Sequence, residues 1–212
     1  MNKEKSAKEI IRRLDLEYPD AKCHLDFSTP FELLVSTVLA AQCTDVRVNK
    51  IMVPLYKSKY KKPEDILKDG MDNFREEIKS INFFNNKAKA ILVICSDLKI
   101  RFKNKIPGNM QDLVSLKGIG RKSASVLLGN CFGQNDVIIV DTHLSRVTAR
   151  LGLIENENPE KIEKELQEII PAQEQFTFSL GIGEHGRQVC KAKKPDCSNC
   201  FLNDICPSKI NL

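Results

Sequence analysis

The sequence predicts an all-α protein built from two helical domains. Its 212 residues are enough for one large core or two small ones, since domains usually run to about 100–150 residues. Apolar residues recur at helical spacing in residues 10–16, 31–41, 46–56, 88–100, 123–131, 144–153 and 162–170. Helix breakers fall between these segments, and they are Pro19, Pro30, Pro63, Pro107 with Gly108, Gly118 with Gly120, Pro159 and Pro171. The connections are therefore short.

One apolar run does not follow the helical spacing. Val137 to Val140 has the composition of a strand, but no partner strand is evident and four residues are too few to decide. We interpret this run as a buried connection or as the lead-in to the next helix.

The charge pattern and the hydropathy limit the classes of partner. The net charge is +5, with basic runs near residues 57–62, 99–105 and 191–194 and a mostly acidic stretch at 155–168. This asymmetry suits a polyanion, although a single run taken alone is better explained as a solvated helix face. No apolar stretch is long enough to span a membrane, and the N-terminus lacks the apolar core of a secretion signal. We therefore expect a soluble cytoplasmic protein.

Residues 110–131 have the form of a helix, a tight hairpin and a second helix. Two glycines allow the backbone to take positive φ and to approach another surface closely, and the N–H groups of the second helix can hold a phosphate. The alternative is a helix corner whose glycines only serve packing, but two basic residues after the glycines favour phosphate binding. The candidate contacts are Lys117, Gly118, Gly120 and Arg121.

Lys122 and Asp141 are the candidate catalytic residues. A cation at a helix start is unfavourable, and such local rules tend to be broken where function requires it. A lysine at this position, beside Arg121, should lose its proton more readily than a free lysine and so become a nucleophile. Asp141, in the run VDTHLSRV, is placed as an N-cap that stays ionised. An isolated aspartate here would be an ordinary cap, but beside Lys122 it offers a proton acceptor.

Four of the eight cysteines lie close together near the C-terminus. They are Cys190, Cys197, Cys200 and Cys206, separated by six, two and five residues. Disulfides are rare in the cytoplasm, so the spacing indicates a metal or iron–sulfur site. Structural zinc usually uses two close cysteine pairs and only one is present, which favours a four-iron cluster. The other four lie in apolar patterns and are predicted to be small core residues, namely Cys23, Cys43, Cys95 and Cys131.

With the hairpin lysine, the downstream aspartate and the cysteine tetrad in one order, the chain resembles the endonuclease III family of helix-hairpin-helix DNA glycosylases and abasic-site lyases. The resemblance runs nearly end to end. It implies a six-helix domain at residues 24–134 with the hairpin, and a second domain of residues 1–23 and 135–212 with a C-terminal [4Fe-4S] cluster loop. It also implies that DNA lies in the cleft between the domains. The implied partner is double-stranded DNA with damaged bases or abasic sites, bound by a monomer associated with the nucleoid.

The resemblance also implies a reaction in base excision repair. An oxidised pyrimidine is flipped out of the duplex, and the amine of Lys122 attacks the sugar carbon that carries it, with assistance from Asp141. A Schiff base remains after the base leaves, and β-elimination then cleaves the strand on the 3′ side. Unstacking the base costs on the order of a few kcal/mol.

Further DNA contacts follow from the same resemblance. The run AQCTD, residues 41–45, matches a segment that fills the vacated space, which assigns Gln42 to that role. INFFNNKA, residues 81–88, matches a segment whose apolar side chain wedges into the duplex, here Phe83. Asn82 stands where the family commonly has glycine, so the geometry of the wedge is expected to differ. The basic loop is expected at Lys191, Lys193 and Lys194.

Two other functions share parts of this pattern. A monofunctional mismatch or adenine DNA glycosylase would keep the aspartate and the cluster but would lack Lys122, and typical adenine glycosylases have a further C-terminal domain. A non-enzymatic DNA-binding iron–sulfur protein, or a redox protein, would need neither Lys122 nor Asp141. The presence of both residues favours the lyase.

Overall fold

The computed structural model describes residues 2–209, and within them every regular element is helical. This confirms the all-α prediction. The described α-helices are α1 (Lys3–Glu17), α2 (Pro30–Ala40), α3 (Asp45–Ser58), α4 (Pro63–Glu77), α5 (Phe84–Phe102), α6 (Met110–Val114), α7 (Arg121–Phe132), α8 (Thr142–Arg150), α9 (Pro159–Ile169) and α10 (Gln175–Gln188). Two compact units divide the chain, one formed by Cys23–Gly133 and the other by Met1–Lys22 with Gln134–Leu212.

Proline and polar caps set the starts of several helices. Pro30, Pro63 and Pro159 each occupy the first turn of a helix, where the missing N–H has no helical partner to lose. Thr29 caps α2 by accepting from the Glu32 N–H at 3.2 Å. Three of the breakers identified in the sequence therefore mark helix starts.

The unit of residues 23–133 contains α2 to α7. Helix α2 packs against α3, α5 and α7, and α4 packs along α5. Its core is made of large side chains that are almost completely buried, among them Leu33, Leu34, Met52, Phe74 and Ile91. Helix α6 packs on α7, and this pair carries the tight turn at residues 115–120.

The other unit contains α1, α8, α9 and α10. Its core is a cluster that includes Ile10, Leu144, Leu166 and Phe178. The run 137–140 forms no strand and passes through this unit as a buried connection, as expected. Its Ile139 N–H donates to Ser179 Oγ on α10 at 3.1 Å, which satisfies a backbone donor that a strand would have paired.

Three of the described helices lie outside the segments predicted from apolar spacing, namely α4, α6 and α10, although α6 was expected from the helix-hairpin-helix pattern. Gly70 interrupts α4 with φ 82°, which breaks the regular pattern of that helix. Helix α10 is buried on most sides and contains three glycines, so it has no single apolar face. Helix α8 ends at Arg150, earlier than the predicted 153. No helix within residues 2–209 has the length and apolar character needed to cross a bilayer.

The prediction that four cysteines are core residues was correct for only one of them. Cys95 lies on α5, is fully buried and has its pKa raised to about 12 by burial. Cys131 is helical but only half-buried, while Cys23 and Cys43 are half-buried residues outside the helices. Apolar neighbours in sequence were a poor guide because both of the latter residues lie in connections between helices instead of on a helix face.

Candidate active site

The turn between α6 and α7 presents an exposed glycine-containing hairpin. Gly118 has φ +92°, a left-handed conformation that favours glycine, and Gly120 is the N-cap of α7. Between them Ile119 is buried, and its N–H donates to the carbonyl of Leu116 at 3.0 Å. Lys117 and both glycines are exposed. The buried isoleucine therefore anchors the turn while the glycine backbone faces outward.

The first turn of α7 is strongly positive. Gly120 supplies no side-chain cap, and the turn contains no acidic residue. Arg121 and Lys122 follow as the first two residues of the helix, and both are exposed. Partial positive charge on the helix N–H groups adds to these two cations. A helix N-terminus with this charge attracts a phosphate. Lys122 lies at this N-terminus and is exposed to solvent.

Asp141 is the N-cap of α8, as expected from the sequence. Its Oδ1 accepts from the N–H groups of His143 and Leu144, each at 2.8 Å. Both of these bonds end on Oδ1, so Oδ2 takes no part in the cap. The residue is half-buried at the end of the buried run 137–140. A fixed carboxylate of this kind can accept a proton or stabilise a nearby positive charge.

The four C-terminal cysteines line one cavity of about 70 Å³. Apolar side chains complete the wall, among them Val147, Leu151 and Pro195. Burial raises the pKa of the Cys200 and Cys206 thiols and so favours the thiol over the thiolate at both positions. Among residues 2–209, no three histidine, cysteine or carboxylate side chains are grouped so as to hold a single metal ion. Four thiols around a cavity match the donor set of a four-iron cluster.

Two arginines from α8 hold the start of this cysteine loop. Arg146 donates through Nε to the carbonyl of Cys190 at 3.2 Å and through Nη2 to that of Gly186 at 2.9 Å. Arg150 donates to the carbonyls of Lys191 at 2.8 Å and Ala192 at 3.0 Å. The backbone between the first two cysteines is therefore fixed against α8. The sequence analysis did not identify either arginine. The one signal available was their position in the helix that begins directly after Asp141.

The loop between Cys190 and Cys197 carries the basic residues expected there. Lys191, Lys193 and Lys194 are all exposed. The Asp196 N–H donates to the carbonyl of Val189 at 3.0 Å, which closes the loop at its base. The charged side chains consequently project from a loop whose backbone is restrained at both ends.

Gln42 and Phe83 are exposed residues with left-handed backbone conformations. Their φ angles are 53° and 59°, and the Phe83 side chain is 60% exposed. The resemblance marked Asn82, which stands where the family commonly has glycine, as the residue that would alter the wedge geometry, but Asn82 has no positive φ. Strain falls on Phe83 instead, at the N-cap of α5.

Lys122 belongs to the unit of residues 23–133 and Asp141 to the other unit. Gln42, Phe83 and the hairpin all lie in the first of these units, whereas the cysteine cavity and the basic loop lie in the second.

Lys87, on α5, is a buried lysine that sequence reasoning missed. It occupies the same apolar face as Ala88, Ile91 and Cys95. Its position at helical spacing within an apolar face was the feature of the sequence that could have identified it as buried.

Comparison with known proteins defines the class to which this fold and these residues belong. Residues 35–172 match the family model of the HhH-GPD superfamily base excision DNA repair proteins. Residues 190–206 match the iron-sulfur binding domain of endonuclease III. These two matches cover the hairpin, the N-cap aspartate and all four cysteines of the cavity.

Individual relatives narrow the class further. Endonuclease III of Synechocystis sp. is 41% identical over 98% of this chain and 94% of its own length. Endonuclease III of Escherichia coli K12 is 37% identical over 99% of this chain and 98% of its own length. A trapped endonuclease III–DNA covalent intermediate superposes with a TM-score of 0.92 at 35% identity, over 99% of this chain and 98% of that one. The chain belongs to the endonuclease III family and has a [4Fe-4S] cluster.

Proposed function

We propose that this protein is a bifunctional DNA glycosylase and abasic-site lyase of base excision repair, with Lys122 as its nucleophile. The observation that carries the proposal is the exposed lysine in the first turn of the hairpin helix. It occurs in a chain that superposes along its length on an endonuclease III covalently trapped on DNA. A covalent enzyme–DNA adduct requires a nucleophile, and an unprotonated lysine amine is suited to attack the sugar carbon.

The reaction begins at the sugar carbon that carries the damaged base. The Lys122 nitrogen uses its lone pair to form a bond to C1′, and the glycosidic bond breaks so that its electron pair leaves with the base. Nζ then loses one proton, and its lone pair expels O4′, which leaves with the electron pair of the C1′–O4′ bond and takes up a proton. The opened ring carries a protonated Schiff base between Nζ and C1′. Loss of the C2′ proton then expels the 3′ phosphate oxygen by β-elimination. An oxidised pyrimidine is the substrate class that we assign to the first step.

Asp141 is the residue that we assign to proton transfer and charge stabilisation. Its Oδ1 is held by two backbone N–H groups, so the carboxylate has a fixed orientation and does not need to reorganise during the reaction. Oδ2 accepts the proton that Nζ gives up after it has bonded to C1′, so Asp141 is still ionised while the base departs. A carboxylate also stabilises the positive charge that develops on the sugar as the base departs.

Cys190, Cys197, Cys200 and Cys206 are the proposed ligands of the [4Fe-4S] cluster. These four side chains would hold the cluster as thiolates, and the cluster would supply a cross-link within a loop of little regular structure. The hydrogen bonds of Arg146 and Arg150 hold the loop in place for this. The role that we assign to the cluster is structural, because it would shape the loop that carries Lys191, Lys193 and Lys194.

DNA binding is assigned to residues of both units. The hairpin residues contact the phosphate backbone without reading its sequence, as does the basic loop. Gln42 fills the space left by the flipped base, and Phe83 wedges into the duplex beside it. The domain bounds that we propose are 24–134 for the hairpin domain and 1–23 with 135–212 for the cluster domain. We place the protein in the cytoplasm as a monomer associated with the nucleoid.

Borohydride trapping tests the proposal on duplex DNA that carries one thymine glycol. Reduction of the Schiff base should give a stable protein–DNA adduct with the wild type and none with Lys122→Ala. Lys89→Ala, which removes an exposed lysine from α5, is the matched control and should trap normally. Base release without an adduct in the wild type would instead indicate a monofunctional glycosylase, and DNA binding with neither product would indicate a non-enzymatic protein.

A further inference from the structure

The loops that carry Gln42 and Phe83 are both strained, and side chains bridge one loop to the other. A non-glycine residue with positive φ persists only where the surrounding contacts offset its cost. Within residues 2–209 four such residues occur, and two of them are Gln42 and Phe83. Both of their side chains are exposed, so burial of those side chains does not offset the cost. The stabilising contacts must come from neighbouring groups.

Lys87 supplies contacts to both loops at once. Its Nζ donates to the carbonyl of Leu39 at 2.9 Å and to that of Ala41 at 2.6 Å, at the C-terminal end of α2. Its backbone N–H donates to the carbonyl of Phe83 at 3.1 Å. The side chain is 7% exposed, and burial lowers its pKa. A cation so placed also satisfies carbonyls that a helix end leaves unpaired.

Asn82 makes a second link between the same loops. Its Nδ2 donates to the carbonyl of Gln42 at 2.9 Å, across 40 positions of sequence. Arg47 adds a longer contact from Nη1 to the carbonyl of Ser80 at 3.4 Å. Three side chains therefore bridge the segment 39–47 and the segment 80–87. Glycine at position 82 would remove one of these bridges.

We propose that Lys87 and Asn82 are positioning residues that hold Gln42 and Phe83 as one preorganised unit for entry into a distorted duplex. This inference rests on the proposed function, because it needs a flipped nucleotide whose space is to be filled. Ordering two loops on binding costs conformational entropy, and prior fixation of their backbones removes that cost from the DNA-binding step. Lys87 and Asn82 bond only to backbone atoms of the other loop, which leaves the Gln42 side chain free to contact DNA.

The test compares two DNA substrates that differ in whether a base stack must be opened. The first is a duplex with a thymine glycol, scored for single-turnover base release. The second is a single strand with an abasic site, scored for borohydride trapping. In the duplex, Lys87→Met should slow base release about tenfold, because it removes charged hydrogen bonds. Asn82→Gly should slow it about threefold, because it removes a neutral hydrogen bond. On the single strand both variants should trap at the wild-type rate, because no stack has to be filled.

Lys89→Met is the matched control, since it alters an exposed lysine two positions along the same helix. It should match the wild type on both substrates. A double-mutant cycle adds a readout that a general loss of stability would not change. In a Gln42→Ala background, Asn82→Gly should cause no further loss on the duplex, because the side chain that Asn82 positions has been removed.

Each result separates this inference from the proposed function. Equal losses on duplex and single strand, a Lys87→Met variant equal to Lys89→Met, or additive effects in the cycle would overturn the positioning role while leaving the lyase intact. A wild-type protein that traps neither substrate would instead overturn the proposed function. If Lys87→Met does not fold, as judged by circular dichroism, Asn82→Gly and its cycle decide the question alone, because Asn82 is exposed.

Discussion

Arg150 Nη1 lies 3.3 Å from Cys190 Sγ, and the same guanidinium donates to the carbonyls of the two residues that follow this cysteine. Arg150 is the last residue of α8, the helix that begins after Asp141. One helix thus carries the capping aspartate at its start and, at its end, the contact with the cysteine loop. The positive charge of Arg150 beside this sulfur would stabilise Cys190 as a ligand of the proposed cluster.

Replacing Arg150 with methionine should destabilise the cluster. Outer contacts to metal ligands are typically worth about 10–100-fold in metal affinity, so visible absorbance should decay at least about tenfold faster in the presence of a chelator. Arg12→Met is the control, because Arg12 is an exposed arginine whose partner is Glu9 on the same helix. Equal decay rates for the two variants would show that Arg150 contributes nothing to retention of the cluster.

Removing the three lysines of the cluster loop should change the salt dependence of DNA binding. Each phosphate contact contributes about 0.9 to the slope of log affinity against log salt, so the triple alanine variant should lower the slope by about 2 to 3. The control changes three exposed lysines elsewhere in the same unit, namely Lys8, Lys161 and Lys164. Fluorescence anisotropy at several salt concentrations measures both. Identical slopes would remove this loop from the DNA interface.

Asp141 and Asn158 form a natural pair for separating capping from catalysis. Each accepts from two backbone N–H groups at the start of its helix. Alanine at either position should cost about 1 kcal/mol of the free energy of unfolding, measured by urea denaturation. Only Asp141→Ala should also lose activity, by about 10²–10⁴-fold in base release, the range for a lost proton-transfer group. Comparable activity in the two variants would reduce Asp141 to an ordinary cap.

Gly118 and Gly133 allow the same comparison for the hairpin. Both have positive φ, of +92° and +65°, and a Cβ at either position would meet no atom closer than 4.0 Å. Alanine should therefore cost about 1–2 kcal/mol of stability at each site through backbone conformation alone. Gly118→Ala should also weaken DNA binding, because it disturbs the turn that meets the phosphates. Equal Kd values for Gly118→Ala and Gly133→Ala would argue against a phosphate-binding hairpin.

Local patterns in the sequence were sufficient for several helix starts and for naming the hairpin, Lys122 and Asp141 as candidates. A cap such as Asp141 depends on N–H groups two and three residues away, and the hairpin depends on two glycines one residue apart. Such interactions are encoded within a few positions, so they can be read without a fold. The same reasoning failed for α10, because a helix buried on most sides has no polar face to reveal its period.

The amino-acid sequence by itself determined that the chain is helical, that a basic hairpin precedes Lys122 and that four cysteines lie close together near the C-terminus. Only the tertiary structure decided which side chains hold the loop of Gln42 and the cysteine loop in place. The Lys87 ammonium reaches carbonyls 46 and 48 positions away, Asn82 reaches Gln42 across 40 positions, and Arg150 reaches the cysteine loop across 41. Contacts over such separations depend on how helices pack, and a buried lysine has the same letter in the sequence as an exposed one.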